Sequence, residues 1–208
     1  MIDVLIPTCK PSVDDALCNM RVVIRHSLVF QHGEVYASCR NESAAFNRNR
    51  CLDRTSEPFA IMLDDDISGF YPGWDLDLLA PFRDPLVCMV SARLMNPDGS
   101  IGPTCSRCYD LEPEEIEVFS DGHCVLPTAA IAFRNIGLRF DERYKGSGWE
   151  DNDFCFQYLK ANPKYKFIQS NRCRLIHANE MKHQAEYWTH NKEYFEWKWL
   201  RKKQASLA

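Results

Sequence analysis

Apolar and polar positions fall into short blocks along the first third of the chain. Ile2-Asp3-Val4-Leu5-Ile6 is an apolar run closed by Pro7-Thr8 and then Lys10-Pro11-Ser12, which predicts a buried first strand and a loop. Ser12 is placed to cap a helix over residues 13–28, where Ala16, Leu17, Met20, Val23 and Ile24 share one face. Val35-Tyr36-Ala37-Ser38-Cys39 reads as a second strand, and residues 43–52 as a helix carrying Arg48 and Arg50. Pro58 precedes Phe59-Ala60-Ile61-Met62-Leu63, a continuous apolar run of the kind buried on both faces of a sheet. Strand, helix, strand, helix, strand predicts an α/β fold with right-handed crossovers: a Rossmann-like, mainly parallel central sheet flanked by helices. Ligands of such sheets lie beyond the carboxyl ends of the strands, so Pro7-Thr8, Cys39-Arg40-Asn41 and the residues after Leu63 are expected on one rim.

The rest of the chain has a different rhythm. Pro and Gly punctuate residues 96–108, residues 112–117 are acidic, and residues 126–133 are strand-like. Gly146-Ser147-Gly148-Trp149 leads into a helix starting near Glu150, and Cys173-Arg174-Leu175-Ile176 is again strand-like. An aromatic, increasingly basic helix over residues 185–203 comes last. No internal repeat or low-complexity tract interrupts the pattern.

Composition narrows the class. The 208 residues suit one domain, and 45% hydrophobic with 26% charged residues is globular rather than disordered. A net charge of −4 argues against broad, non-specific nucleic-acid binding. No apolar run approaches the roughly 20 residues that a membrane-spanning helix needs. The first residues contain an acid and no basic stretch, so no signal peptide is expected and the location is expected to be cytoplasmic. Ten cysteines therefore read as reduced thiols, with Cys9, Cys18, Cys39, Cys51, Cys88 and Cys155 inside apolar or helical patterns. Cys105-Ser106-Arg107-Cys108 has metal spacing but no second pair, since His123-Cys124 is spaced wrongly for zinc.

Three constellations can carry chemistry. Asp64-Asp65-Asp66 follows five apolar residues at the expected sheet rim. Carboxylates so crowded repel one another unless a cation joins them, and oxygen ligands suit Mg²⁺ or Mn²⁺; a solvated acidic turn is the plain alternative. Strand alternation puts Asp64 and Asp66 on one side and Asp65 on the other. Glu150-Asp151-Asn152-Asp153 begins a helix after the Gly-Ser-Gly-Trp lead-in; acids there suit the helix dipole, and one held at a cleft suits general-base work. His177, with His183 six residues on, would add a nitrogen that favours Mn²⁺ over Mg²⁺ if either joined the carboxylates.

Taken in order, these pieces resemble the family-two glycosyltransferases of the GT-A fold. Ile6-Pro7-Thr8, the helix around Ala45-Phe46-Asn47-Arg48-Asn49, and Asp64-Asp65-Asp66 as a D-x-D-type motif resemble the nucleotide-sugar half. Residues 128–134, then Gly137 followed by Phe140-Asp141-Glu142, then Trp149-Glu150-Asp151, resemble the acceptor half. His177 and Asn191, Tyr194-Phe195 and Lys198-Trp199 resemble the family's closing pattern. Two departures stand out: where the family usually carries an acid at the end of the second strand, Ser38-Cys39-Arg40-Asn41 stands instead, and residues 96–127 match nothing in the family.

The resemblance implies one GT-A catalytic domain over residues 1–208: a nucleotide-sugar half to residue 95, an acceptor half over 96–180, and the closing helix over 181–208. It implies an inverting transfer of a hexosyl or N-acetylhexosaminyl group from a nucleoside-diphosphate sugar, UDP-linked, to an acceptor hydroxyl. Asp151, with Glu150, would be the catalytic pair; Asp66 and His177 would hold Mn²⁺ (or Mg²⁺). Pro7, Thr8, Asp64 and Asp65 would line the donor site, and Trp149 and Thr128 the acceptor site. Arg48 either assists the diphosphate or forms a surface salt bridge. The acceptor class stays open among glycan, lipid-linked sugar, protein and modified nucleobase. A nucleotidyltransferase would open on a Gly-rich phosphate loop, which Pro7-Thr8-Cys9-Lys10-Pro11 is not; a non-catalytic carbohydrate-binding relative would not need Asp66, Asp151 and His177 together. The aromatic residues of the closing helix are too many for one stripe, so it is expected to pack across the domain, with peripheral membrane or nucleic-acid contact as the other reading.

Overall fold

The structure is a computed structural model that describes residues 2–8, 35–39, 43–102, 115–118, 126–178 and 184–201. The helix expected over 13–28, the Cys105/Cys108 pair and His183 lie outside the described residues. One sheet runs through the molecule. Its strands are β1 (Asp3–Thr8), β2 (Val35–Cys39), β3 (Phe59–Leu63), β4 (Ile67–Ser68), β5 (Val87–Met95), β6 (Glu115–Val118), β7 (Ala130–Arg134) and β8 (Lys166–His177). The helices are α1 (Ala44–Leu52), α2 (Trp74–Leu79), α3 (Glu150–Ala161) and α4 (Gln184–Glu196), the last running on into a wider π-helical turn, Trp197–Arg201.

Neighbours in the sheet follow the order β2-β1-β3-β7-β5-β8-β4, with β6 also paired to β8. The α/β class is as expected, but the pairing is mixed rather than mainly parallel. β1 runs parallel to β2 and β3, and β5 runs parallel to β8. β7 is antiparallel to both β3 and β5, between which it lies, and β8 is antiparallel to β4 and β6. Hydrophobicity explains why this direction is illegible: β3 and β7 are both apolar through their length, and a strand buried on two faces carries no mark of its polarity.

The core has two layers, one on each side of the sheet. Alternation along β3 sends Ala60 and Met62 to one side with Leu52, Phe133, Phe140, Phe154 and Tyr158, and Ile61 and Leu63 to the other with Trp74, Leu78, Val90 and Leu175. Cys51, Cys88, Cys155 and Cys173 are buried thiols within these layers. The Ser43 hydroxyl accepts from Phe46 N–H and caps α1, which fixes where the helix begins. No described helix is long and apolar enough to cross a membrane.

Candidate active site

β3 ends at Leu63, and the chain then turns instead of continuing as a strand: Asp64 N–H donates to Ala129 O at 2.7 Å, and Ile67 N–H returns to Asp64 O at 3.3 Å. The turn, not strand alternation, sets where the three acids go. Ile67 in β4 pairs with His177, the last residue of β8, and Ala178 N–H donates to Asp66 O at 3.3 Å. Asp64, Asp66 and His177 are thereby gathered so that one ligand atom of each lies within 4.8 Å of the others. His177 Nε2 is 3.2 Å from Asp66 Oδ1, and Nδ1 is buried with no hydrogen-bond partner among the described residues.

Burial works against a charged imidazole at this position, but the Asp66 and Asp64 carboxylates outweigh it and raise the affinity of His177 for a proton. Burial likewise raises the pKa of Asp64, in spite of Arg48 beside it. Two carboxylates and an imidazole held this closely match the oxygen-plus-nitrogen ligand set of a divalent cation, and a cation relieves their mutual repulsion.

The second group of acids arrives from the other half of the chain. α3 starts at Glu150 behind Trp149, whose φ of 72° is left-handed and whose side chain does not cap the helix. Glu150 is 3% exposed and accepts from Arg48 Nη1 at 2.7 Å. The same guanidinium donates from Nη2 to Asp64 at 3.2 Å. The salt-bridge alternative for Arg48 is met, but not at the surface: its side chain is 7% exposed and lies between the triplet and the Glu150 helix. Desolvation alone would weaken its charge, but Asp64 and Glu150 more than compensate and keep the guanidinium cationic.

Asp151 follows Glu150 and is part-buried; its Oδ1 accepts from Asn152 N–H at 2.8 Å. Burial, then the neighbouring Glu150 charge, push its pKa up to about 7, against the opposing pull of Arg48. A carboxyl group so poised exchanges protons near neutrality, as a general base must. The dipole-capping alternative does not describe the other acids of this turn: Glu150 is bound to Arg48, and Asp153 Oδ1 accepts from Lys198 at 2.7 Å and from Trp199 Nε1 at 2.6 Å.

Pro7 is buried on β1, and Thr8 ends that strand opposite Cys39. Leu5 pairs with Met62, so two residues further along these parallel strands bring Pro7 and Asp64 to one level. Asp65 is part-buried in the turn. Thr128 is 2% exposed, one residue before the Ala129 carbonyl that holds Asp64. The Trp149 ring packs between Trp188 and Phe195, and its buried Nε1 has no partner among the described residues.

Several residues that build this site were not singled out as such from sequence. Asn49, buried on α1, donates to Phe140 O and Glu142 and accepts from Phe140 N–H, so it docks the Phe140-Asp141-Glu142 segment. Lys198 bridges Asp141 and Asp153, each at 2.7 Å, and draws the C-terminal segment onto the domain. The aromatic side chains of that segment sit against Trp149, Phe156 and Tyr144, the packing role expected for it. No sequence signal marks Asn49, because a buried polar residue on a short polar helix reads the same as an exposed one.

The glycines of the lead-in serve close approach. A Cβ on Gly146 would lie 2.7 Å from the Tyr187 ring and one on Gly148 3.2 Å from the Trp188 ring, and both glycines have positive φ.

The α/β architecture, with carboxylates gathered at a strand end opposite a second acidic turn, is a GT-A glycosyltransferase fold. Among solved structures, the chain superimposes on GalNAc-T7 with UDP, GalNAc and Mn²⁺ at a TM-score of 0.57 and 13% identity, covering 94% of this chain and 49% of that one. It matches S. aureus TarS at 0.54 and 15%, covering 86% and 60%, and the Pyrobaculum calidifontis mannosyltransferase PcManGT in complex with GDP-Man and Mn²⁺ at 0.54 and 12%, covering 88% and 58%. The chain thus spans about half to three-fifths of the length of these neighbours. No protein-family model and no curated protein matches the sequence.

Proposed function

We propose that this chain is a divalent-metal-dependent, inverting glycosyltransferase unit that takes a hexosyl or N-acetylhexosaminyl group from a UDP-sugar to an acceptor hydroxyl. The observation that carries this reading is the Arg48 guanidinium, which touches Asp64 on one side and Glu150 on the other and so joins the two acidic motifs in one site. The presence of UDP with Mn²⁺ in GalNAc-T7, and of GDP-Man with Mn²⁺ in PcManGT, supports the donor class.

Asp66 and His177, with Asp64 beside them, would hold the cation. When bound, it supplies Lewis-acid neutralisation of the charge that grows on the departing nucleoside diphosphate. Pro7, Thr8, Asp64 and Asp65 line the donor side, and Trp149 and Thr128 the acceptor side. Asp151 accepts the proton of the acceptor hydroxyl as that oxygen bonds to the anomeric carbon. The bond from that carbon to the phosphate oxygen breaks on the opposite face, which inverts the centre. Glu150 is spent on Arg48 and keeps Asp151 poised through its charge.

A thermal-shift screen of UDP-, GDP-, dTDP- and CMP-sugars, in Mn²⁺ and in EDTA, tests this directly. Binding to the folded state raises the melting temperature with ligand concentration. UDP-sugars are expected to stabilise the protein in Mn²⁺ only; equal stabilisation in EDTA overturns the metal-dependent reading.

A further inference from the structure

We infer that Asn191 is a positioning residue for the proposed transfer, fixing from α4 the backbone turn that aims Glu150 and Asp151; this rests on the reading above. Its side chain is fully buried. Oδ1 accepts from Lys145 N–H at 3.0 Å, and Nδ2 donates to Lys145 O at 2.8 Å and to Gly148 O at 2.9 Å. One planar amide thus spans both ends of the turn that runs from Lys145 to Gly148 and uses both its donor and acceptor faces.

The turn has need of such a brace. α3 begins without a side-chain cap, behind a non-glycine residue in left-handed conformation, so its first turn does not set its own direction. Besides Asn191, the turn is held by Ala44 N–H, which donates to Gly146 O at 2.8 Å, and by the Tyr187 and Trp188 rings over the two glycines.

α4 has its own anchor elsewhere. Lys198 binds Asp141 and Asp153, Tyr194 donates to Asp141, and Trp199 donates to Asp153. Removal of the Asn191 amide therefore leaves the helix docked and releases the turn. Aspartate is no substitute. It keeps the shape but sets a carboxylate against two carbonyl oxygens that require donors.

Asn191→Ala and Asn191→Asp, each in the full chain, separate positioning from mere structural support. Hydrogen exchange of peptides covering residues 144–152 is expected to quicken by about tenfold or more, with exchange across β3 and β5 unchanged. Transfer kcat is expected to fall about 100-fold, the effect of a small misplacement of a reacting group. The Kd for UDP in Mn²⁺ stays within about threefold, because the donor side is untouched. Unchanged exchange in the turn, unchanged kcat once the turn is released, or donor affinity falling in step with kcat each overturns the inference. Wild-type protein that fails to bind UDP in Mn²⁺ would overturn the proposed function instead, and the exchange measurement then still decides whether Asn191 holds the turn.

Discussion

Arg48 and Glu150, 102 residues apart in the chain, meet in a buried ion pair of 2.7 Å. Phe140 lies beneath the guanidinium at 5.3 Å, and Asp64 takes its other arm. A buried pair broken on one side leaves a charge without compensation, which costs about 3–5 kcal/mol. Arg48→Met is therefore expected to lower the melting temperature by roughly 6–20 °C, at about 2–4 °C per kcal/mol for a domain of this size. Arg48→Lys keeps the charge but not the fork, so calorimetry should place it between the two. A melting temperature for Arg48→Met equal to wild type would show that the pair contributes nothing.

Asp151 gives the molecule a pH signature with two opposite faces. Its folded pKa of about 7 lies above its ordinary value of 3.8, so the folded state holds the proton more tightly than the unfolded chain. Its contribution to stability is thus lost as pH rises from about 4 to about 7. Asn imitates the protonated acid. Asp151→Asn should melt higher than wild type at pH 8 and alike at pH 4, while transfer falls by about 10²–10⁴ above pH 7, where the wild-type base is ionised, and by less as pH drops. The wild-type rate should climb with pH through about 7, following ionisation of the base. A variant less stable than wild type at pH 8 would refute the burial argument.

The metal cluster predicts an inversion between two buffers. Asp66→Asn removes one of two crowded carboxylates but also the acid that favours a charged His177, so in EDTA at pH 9, where the imidazole is neutral, the variant should melt no lower than wild type. In Mn²⁺ the wild type should gain stability and the variant should not. Thermal melts of both proteins in both buffers suffice, and equal gains in Mn²⁺ would remove Asp66 from the ligand set.

Gly146 and Tyr187 are coupled through space. Gly146→Ala forces a side chain into left-handed backbone and into the Tyr187 ring, and about 1–3 kcal/mol of destabilisation is expected for such overpacking. The same change in a Tyr187→Ala background should cost less, since only the backbone strain remains. Urea denaturation of the four proteins in the cycle measures the difference. Additive effects would mean that the ring already yields at no cost.

Strand β3 and the start of α3 were legible because their signals are local. An unbroken apolar run bounded by Pro58 and Asp64 allows little else than a buried strand, and glycines followed by acids mark a helix start. β5, the central partner of β8, is bounded just as clearly by Pro85 and Asn96-Pro97, but Ser91 and Arg93 interrupt its apolar run, and no strand is expected there from sequence. Nor could sequence say that the Asp triplet would curl into a turn, because β4 and its pairing with His177 arise from residues 110 apart (67 to 177). The Arg48 bridge is the clearest case: an arginine on a short polar helix reads as solvated until the two acids that surround it are brought in from elsewhere. The family resemblance conveyed the order of the motifs, not the contacts between them.

The Lys198 clasp on Asp141 and Asp153 has a bearing on how the protein is made. Those contacts, and those of Asn191 and Trp188 with the lead-in to Glu150, are supplied by residues synthesised about 40 or more positions after the turn they hold. A ribosome-bound chain can complete the β1–β3 platform long before it can settle the acids at the start of α3, so the geometry of that turn matures only after residue 199 has emerged.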